Sequence, residues 1–327
     1  MKILYSNEAN FKDEFSLLVD RSNIDMQSVM PIVNGIINDI KERGDAALNE
    51  QIAKFDKWEV NGNLAITTDE MKAAYDNLDD KLRNALKLAY ERIKAYHEKQ
   101  VEKSWIDFEP SGAILGQKVT PVDRAGLYIP GGKAAYPSSL IMNAVPAIVA
   151  GVKEIVVCTP AVGGEVNSLL LAAMHLLGIK TAYKVGGASA VAAMAYGTQT
   201  IKKVDVITGP GNIFVATAKK MVYGDVNIDM IAGPSEIGVI ADESANPTHI
   251  AIDLLSQAEH DEIASSFLIT FSAEFANKVN DEIQRLLPNL KRYEIAKASI
   301  DNKAAIIVAC DIDECIELMN ALAVEHL

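Results

Sequence analysis

Arg124-Ala125-Gly126-Leu127-Tyr128-Ile129-Pro130-Gly131-Gly132 reads as a short strand that ends in a proline–glycine turn. A helix is predicted over 138–150, and the same rhythm then returns. A strand over 154–158 precedes a helix over 165–177. A strand over 182–185, closed by Gly186 and Gly187, precedes a helix over 189–196. A strand over 204–208, closed by Gly209, Pro210 and Gly211, precedes a helix that runs to Tyr223. Repeated strand–loop–helix units predict a parallel sheet with helices on its faces. Glycines at the carboxyl ends of the strands let backbone approach a ligand there.

Upstream of this run the chain reads as helices. Val29, Ile32, Val33, Ile36 and Ile37 recur at helical spacing, Gly44 interrupts, and Asp45 is placed to cap the next helix. Thr67 and Glu70 have capping-box spacing. Leu82, Ala85, Leu86, Ala89, Ile93 and Tyr96 trace one face of a long helix, with His97 at its polar end. The stretch 105–119 reads as a β-hairpin and marks a boundary. A second α/β run begins near Asp229, with strands over 237–241, 265–270 and 304–308 and helices over 248–259, 273–287 and 312–322. The expected organisation is an N-terminal helical segment over 1–25 and a discontinuous α/β domain of 26–120 with 235–327. A Rossmann-like domain over 121–234 completes it.

Composition bounds the function. The 327 residues suit about two domains, and 49% are hydrophobic, enough for sizeable cores. A formal charge of −13 repels phosphate backbones and anionic membranes, so neither nucleic acid nor a membrane surface is an expected partner. Three cysteines, Cys158, Cys310 and Cys315, make no disulfide framework and no CxxC zinc site. The start of the chain turns polar at Ser6, Asn7 and Glu8, unlike a signal-peptide core. A cytoplasmic location is the expectation.

Two glycine loops nearly match known phosphate-binding patterns. Gly209-Pro210-Gly211 begins a dinucleotide fingerprint but has Phe214 at the third glycine position. Gly132-Lys133 resembles the end of a phosphate loop, but Ala134 stands where Ser or Thr is required. Asn212 falls at a helix start, where backbone N–H groups favour an anion. Ala232-Gly233-Pro234-Ser235-Glu236 is a turn that offers the Ser235 hydroxyl at a loop edge. In Ser256-Gln257-Ala258-Glu259-His260-Asp261, Gln257 and His260 share a helix face if the helix persists. A polar helix terminus with a solvated histidine is the other reading of that segment, and the one residue type alone favours. His175 and His249 read as structural. Glu325-His326 is an acid/base pair by residue type, or simply a charged terminus.

Taken together, these segments resemble histidinol dehydrogenase, a zinc-dependent family. The resemblance is carried by Asp123 to Gly132, Tyr136-Pro137-Ser138-Ser139, Val185-Gly186-Gly187-Ala188 and Gly209-Pro210-Gly211-Asn212. It continues through Ile228-Asp229-Met230, Ala232 to Glu236, Leu254 to His260 and Glu325-His326-Leu327. They occur in order over nearly the whole chain.

The resemblance implies two incomplete Rossmann-like parallel-sheet domains, NAD bound without the usual glycine fingerprint, and a homodimer with a shared active site. It implies oxidation of L-histidinol to L-histidine through an aldehyde in two NAD-dependent steps. Gln257 and His260 match the family's zinc ligands, which also touch substrate. Glu325 and His326 match its catalytic pair, with His326 also at the substrate. Ser235 matches a substrate contact, and Tyr128 and Asn212 match cofactor contacts. Ser189 stands where the family commonly has Gln, a longer side chain at a cofactor contact. The family continues beyond the Glu-His-Leu motif with further zinc and substrate ligands, and the chain is expected to lack that segment. A relative acting on another polar alcohol, or a catalytically incomplete fragment of the family, are the other readings.

Overall fold

In the computed structural model, residues 1–22, 26–131, 136–231 and 233–327 are described. Gly132, Lys133 and Ala134 of the expected turn and phosphate-loop comparison, and Ala232 of the Gly-Pro segment, lie outside them. Strand β1 (Lys2–Tyr5) and helix α1 (Phe11–Val19) open the chain, followed by α2 (Met26–Arg43), α3 (Asp45–Phe55), α4 (Thr68–Asp76) and α5 (Asp80–His97). The hairpin β2 (Trp105–Phe108) and β3 (Ile114–Gln117) comes next. The central run is β4 (Arg124–Tyr128), α6 (Pro137–Ala150), β5 (Glu154–Thr159), α7 (Ser168–Leu176) and β6 (Thr181–Lys184). It continues with α8 (Gly187–Tyr196), β7 (Val206–Thr208), α9 (Ile213–Val222) and β8 (Asn227–Ile228). The last run is β9 (Glu236–Ile240), α10 (Pro247–Ala258), β10 (Ser265–Thr270), α11 (Ala273–Leu286), α12 (Tyr293–Asn302), β11 (Ala305–Val308) and α13 (Ile312–Leu322).

The chain divides into two compact units, residues 1–24 with 233–327, and residues 25–232. This differs from the expected pairing of 26–120 with 235–327. The reason is packing. The apolar stripe of α2 (Val33, Ile36, Ile37, Ile40) and that of α3 (Ala47, Leu48, Ile52) share one core with Val191, Ala195 and their neighbours on α8. Met71 of α4 and Leu86 of α5 join α6 and α7 in the core on the sheet's other face, around Leu140, Ile141, Leu170 and Met174. The N-terminal helices therefore belong with the central sheet.

That sheet is fully parallel, in the order β6-β5-β4-β7-β8. Strand order reverses between β4 and β7, the place where open α/β sheets form a ligand crevice at their carboxyl ends. The chain follows a narrow path there. Gly209 has φ +122°, and a Cβ on it would lie 2.0 Å from the Tyr128 carbonyl oxygen. The buried Lys219 ammonium donates to the Gly209 carbonyl at 3.0 Å and pairs with Asp229. Asp229 in turn accepts the Gly209 N–H at 2.8 Å. The capping box at Thr67 and Glu70 forms as its spacing predicts, whereas α3 is capped by Gly44 with Asp45 already helical.

The other unit holds a second parallel sheet, in the order β1-β11-β10-β9. One face carries Leu254, Phe275, Val279 and Ile300 from α10, α11 and α12, and the other carries Phe11, Met319 and Leu322 from α1 and α13. The N-terminal segment is thus strand then helix. β1 is an edge strand of four residues of which one, Leu4, is buried. The doubly wound α/β class expected from the strand–loop–helix rhythm is the one observed. The three cysteines are free, and no helix among the described residues is long and apolar enough to cross a membrane.

Gly209→Ala combines a positive φ with a backbone collision, so it should lower unfolding free energy by about 3 kcal/mol or more in urea titrations. A loss under about 1 kcal/mol would mean the Tyr128–Gly209 approach is looser than described.

Candidate active site

The expected residues fall into two groups, one in each unit. Tyr128, Ser189 and Asn212 line a cavity of about 610 Å³ in the unit of residues 25–232. Its floor is the carboxyl edge of the sheet, with Gly131 after β4, Pro160 after β5, Gly186 after β6 and Asn212 after β7. Ile32, Ile36, Ile52, Phe55 and Phe214 add apolar wall. Such a mix of apolar lining and a few placed polar groups is what small-molecule sites offer.

Each polar group there has a structural anchor. Tyr128 is buried, and its hydroxyl oxygen accepts the Gly187 N–H at 3.3 Å, so its own proton is left to donate. Burial pushes the Tyr128 phenol up to about 12, keeping that proton in place at neutral pH. Ser189 is buried in the first turn of α8. No side chain caps α8, and first-turn amides point out of a helix N-terminus, so an anion is favoured there. Asn212 caps α9 through its amide oxygen, which accepts from Phe214 at 3.1 Å and Val215 at 3.2 Å. Its NH2 group stays available to donate. This donor set and the room beside it fit a dinucleotide held by its phosphates at a helix start.

Asp56 also lines the cavity and was not singled out by sequence reasoning. It follows α3, where a carboxylate ordinarily reads as surface charge, yet it is buried. Burial raises its pKa, opposed by a hydrogen bond from the Ala161 backbone.

The second group gathers at the amino-terminal edge of the sheet of the other unit. Ser235 immediately precedes β9, and its carbonyl accepts the Ser265 N–H at the start of β10. The segment carrying Glu325 and His326 pairs alongside β9. The His326 N–H donates to the Glu236 carbonyl at 3.1 Å, and the His326 carbonyl accepts the Gly238 N–H at 2.8 Å. The two side chains are exposed, with Nε2 of His326 3.5 Å from a Glu325 carboxylate oxygen. The His326 backbone is a bridge partner of Ile237, so this end of the chain is held to the sheet.

Gln257 lies in the last turn of α10, and its Nε2 is buried without a hydrogen-bond partner. The helix ends at Ala258, so His260 sits in the following turn rather than on the same helix. Its N–H still donates to the Gln257 carbonyl at 3.0 Å, which keeps the two residues one tight turn apart. Among the described residues, no group of three or more His, Cys, Asp or Glu is placed to hold a metal ion. If zinc is held here, the Gln257 amide oxygen and the His260 imidazole would supply two of its ligands and leave the rest to other groups. His175 is structural as expected, its ring 5.0 Å from Tyr75, and His249 is exposed.

An inner ion pair holds this edge. Arg21 donates to Glu236 at 2.6 Å and to the Leu322 carbonyl at 2.8 Å, and its guanidinium lies 4.9 Å from the Phe267 ring centroid. The side chains are only 8% and 10% exposed. Arg21 thus ties the residue after Ser235 to the end of α13, from which Glu325 and His326 emerge.

Fold and site together define a doubly wound α/β protein with its cavity at the reversal of strand order and a polar, histidine-bearing edge on a second parallel sheet. The family model described as "Histidinol dehydrogenase" matches residues 19–327. A histidinol dehydrogenase of Sulfurimonas denitrificans is 62% identical over 324 residues, covering 98% of this chain and 75% of that protein. One of Wolinella succinogenes is 60% identical over 329 residues, covering 100% and 76%. The crystal structure of histidinol dehydrogenase from Elizabethkingia anophelis superposes with a TM-score of 0.90 at 36% identity, over 100% of this chain and 75% of that one. The chain belongs to the histidinol dehydrogenase family and is an oxidoreductase of histidine biosynthesis.

Three outcomes follow for stability. Arg21→Met strands the buried Glu236 carboxylate and should cost about 3–5 kcal/mol in denaturant unfolding. Lys72→Met at the exposed pair with Asp76 should leave the unfolding midpoint almost unchanged. For Tyr128 the unfolded phenol ionises near its ordinary value of 10.0 while the folded one holds its proton to about 12. The folded state then binds more protons, so stability falls as pH rises above about 10. Tyr128→Phe should flatten part of that alkaline decline, and an unchanged profile would contradict the buried phenol.

Proposed function

We propose that the chain carries out a zinc-dependent, four-electron oxidation of L-histidinol to L-histidine through histidinal, using two NAD. The observation that carries this reading is the gathering of Ser235, Gln257, His260, Glu325 and His326 at the amino edge of one parallel sheet, in a chain of this family. Gln257 and His260 would hold zinc, and Tyr128, Ser189 and Asn212 would hold NAD. When bound, zinc supplies Lewis acidity at the alcohol oxygen and NAD accepts hydride.

The chain's own residues then do the following. Ser235 offers a hydroxyl that hydrogen-bonds and orients the polar substrate. His326 takes the hydroxyl proton as the carbon gives up its hydride, which leaves the aldehyde. Glu325 takes a proton from water as that water adds to the aldehyde. The adduct, left as an oxyanion by that proton loss, gives up a second hydride to become the carboxylic acid, which releases its proton to solvent as the carboxylate. Two proton-handling groups side by side suit two successive oxidations. The exposed side chains of both allow contact with substrate and exchange of protons with solvent.

A homodimer and a cytoplasmic location belong to the same proposal. The hairpin β2–β3 leaves Trp105, Ile106, Phe108, Ile114 and Leu115 exposed, apolar surface of the kind a second copy covers.

Mutation separates the roles. His326→Ala should lower turnover by about two orders of magnitude or more and leave bound zinc unchanged. His260→Ala should lower the zinc content itself, read by metal analysis. Equal loss of zinc in both variants would remove the distinction between base and ligand. Absence of NADH formation with L-histidinol, alongside turnover of another amino alcohol, would redirect the substrate assignment.

A further inference from the structure

The cavity on the 25–232 unit contains none of Ser235, Gln257, His260, Glu325 or His326. On the reading that NAD occupies it, the cavity is assigned the non-reacting adenosine half, because none of the proton-handling residues lines it. In doubly wound dinucleotide folds an acid about 20 residues past the glycine turn receives the ribose 2′-hydroxyl. Here β5, the strand after that turn, ends at Thr159 and runs into Pro160 and Ala161, with no acid. Pro160 is wedged instead: a Cβ on Gly186 would lie 2.5 Å from it, and one on Gly131 2.8 Å from it.

Asp56 is fastened to that same strand end from outside the sheet. Its backbone carbonyl accepts the Gly163 N–H at 2.9 Å, and its carboxylate accepts a hydrogen bond from the Ala161 backbone. It is 9% exposed and lines the cavity with Tyr128, Gly131 and Gly186. The position is one that stability alone disfavours. Asp56 is the C-cap of α3, where the helix dipole opposes a negative charge, and burial opposes it again. Lys54 lines the same wall, but its ammonium lies 5.1 Å from the Phe55 ring centroid, on an exposed side chain.

We propose that Asp56 is the specificity-determining residue for the cofactor, accepting the adenosine ribose 2′-hydroxyl and repelling a 2′-phosphate. The acid that the sheet lacks is thus supplied by a helix packed against it. A carboxylate accepts from a hydroxyl at hydrogen-bond distance but meets a phosphate as a like charge. This selects NAD over NADP, and it rests on the cofactor reading given above.

Calorimetric titration of the full chain with NAD, NADP, 5′-AMP and 2′,5′-ADP tests it without turnover. Wild-type protein should bind NAD at least about tenfold more tightly than NADP, and 5′-AMP more tightly than 2′,5′-ADP. Asp56→Asn keeps an oxygen for the Ala161 hydrogen bond and removes the charge. It should bring both ratios to within about threefold, chiefly by tightening the phosphorylated ligands. Asp56→Ser serves the same comparison if the first variant fails to fold. Retention of the wild-type ratios in a folded variant would overturn the role of Asp56 and leave the cofactor reading intact. Failure of wild-type protein to bind either NAD or 5′-AMP would overturn the cofactor reading, and this assignment with it.

Discussion

The buried ammonium of Lys219 holds the edge on which the cavity is built. A lysine inside a protein is costly unless its charge is paired and its protons are placed. Here it pairs with Asp229 and donates to the Gly209 carbonyl, while Asp229 accepts the Gly209 N–H. Both polar groups of one glycine are thereby tied to one ion pair. That glycine sits against the Tyr128 carbonyl, where no side chain fits. The next turns of chain deliver Asn212 to cap α9, and the adjacent strand delivers Tyr128 to the cavity. The cavity's polar groups are therefore set by backbone contacts rather than by loop chance.

The two sheets present their candidate site residues on opposite edges, one at the carboxyl ends of its strands and the other at the amino ends. In the 25–232 unit they stand at the carboxyl ends of the strands, where glycine turns and helix N-termini favour an anionic ligand. In the other unit they stand at the amino ends of β9 and β10. That edge is ordinarily closed by returning helices, and here it carries two helix exits, from α10 and from α13. Helix C-terminal ends carry negative potential, which favours cations rather than phosphate. The edge chosen in each unit thus suits the charge of the group assigned to it.

Much of this was legible in the residues. The strand and helix rhythm from Arg124 onward reproduces the central sheet to within a few residues, because apolar runs bounded by glycine are unambiguous in a buried parallel sheet. What escaped was short or tertiary. The edge strand Lys2–Tyr5 and the two-residue β8 carry too few buried side chains to leave a pattern. Helix α12 also went unread between longer neighbours. The stripes on α2 and α3 reveal an apolar face but not which sheet it covers, so the unit boundary was misassigned. Asn212 at a helix start and the Gln257–His260 spacing are legible in the residues themselves, whereas Tyr128 and the roles of all three rest on the family resemblance. Asp56 left no such trace, since an aspartate after an amphipathic helix resembles ordinary solvated charge until its burial is known.

Helix α8 is almost wholly buried. Eight of its ten residues, Ala188 to Ala195, are buried, and five of those eight are alanines. It packs against α2, α9 and the strands β4 and β7 with side chains too short to rearrange. The α8 side of the cavity therefore behaves as a stiff post. The opposite side, the end of α3, bears the exposed Lys54 and Phe55. Exposed side chains change rotamer at less cost than buried ones, so adjustment to a ligand's size falls more easily to that wall than to α8.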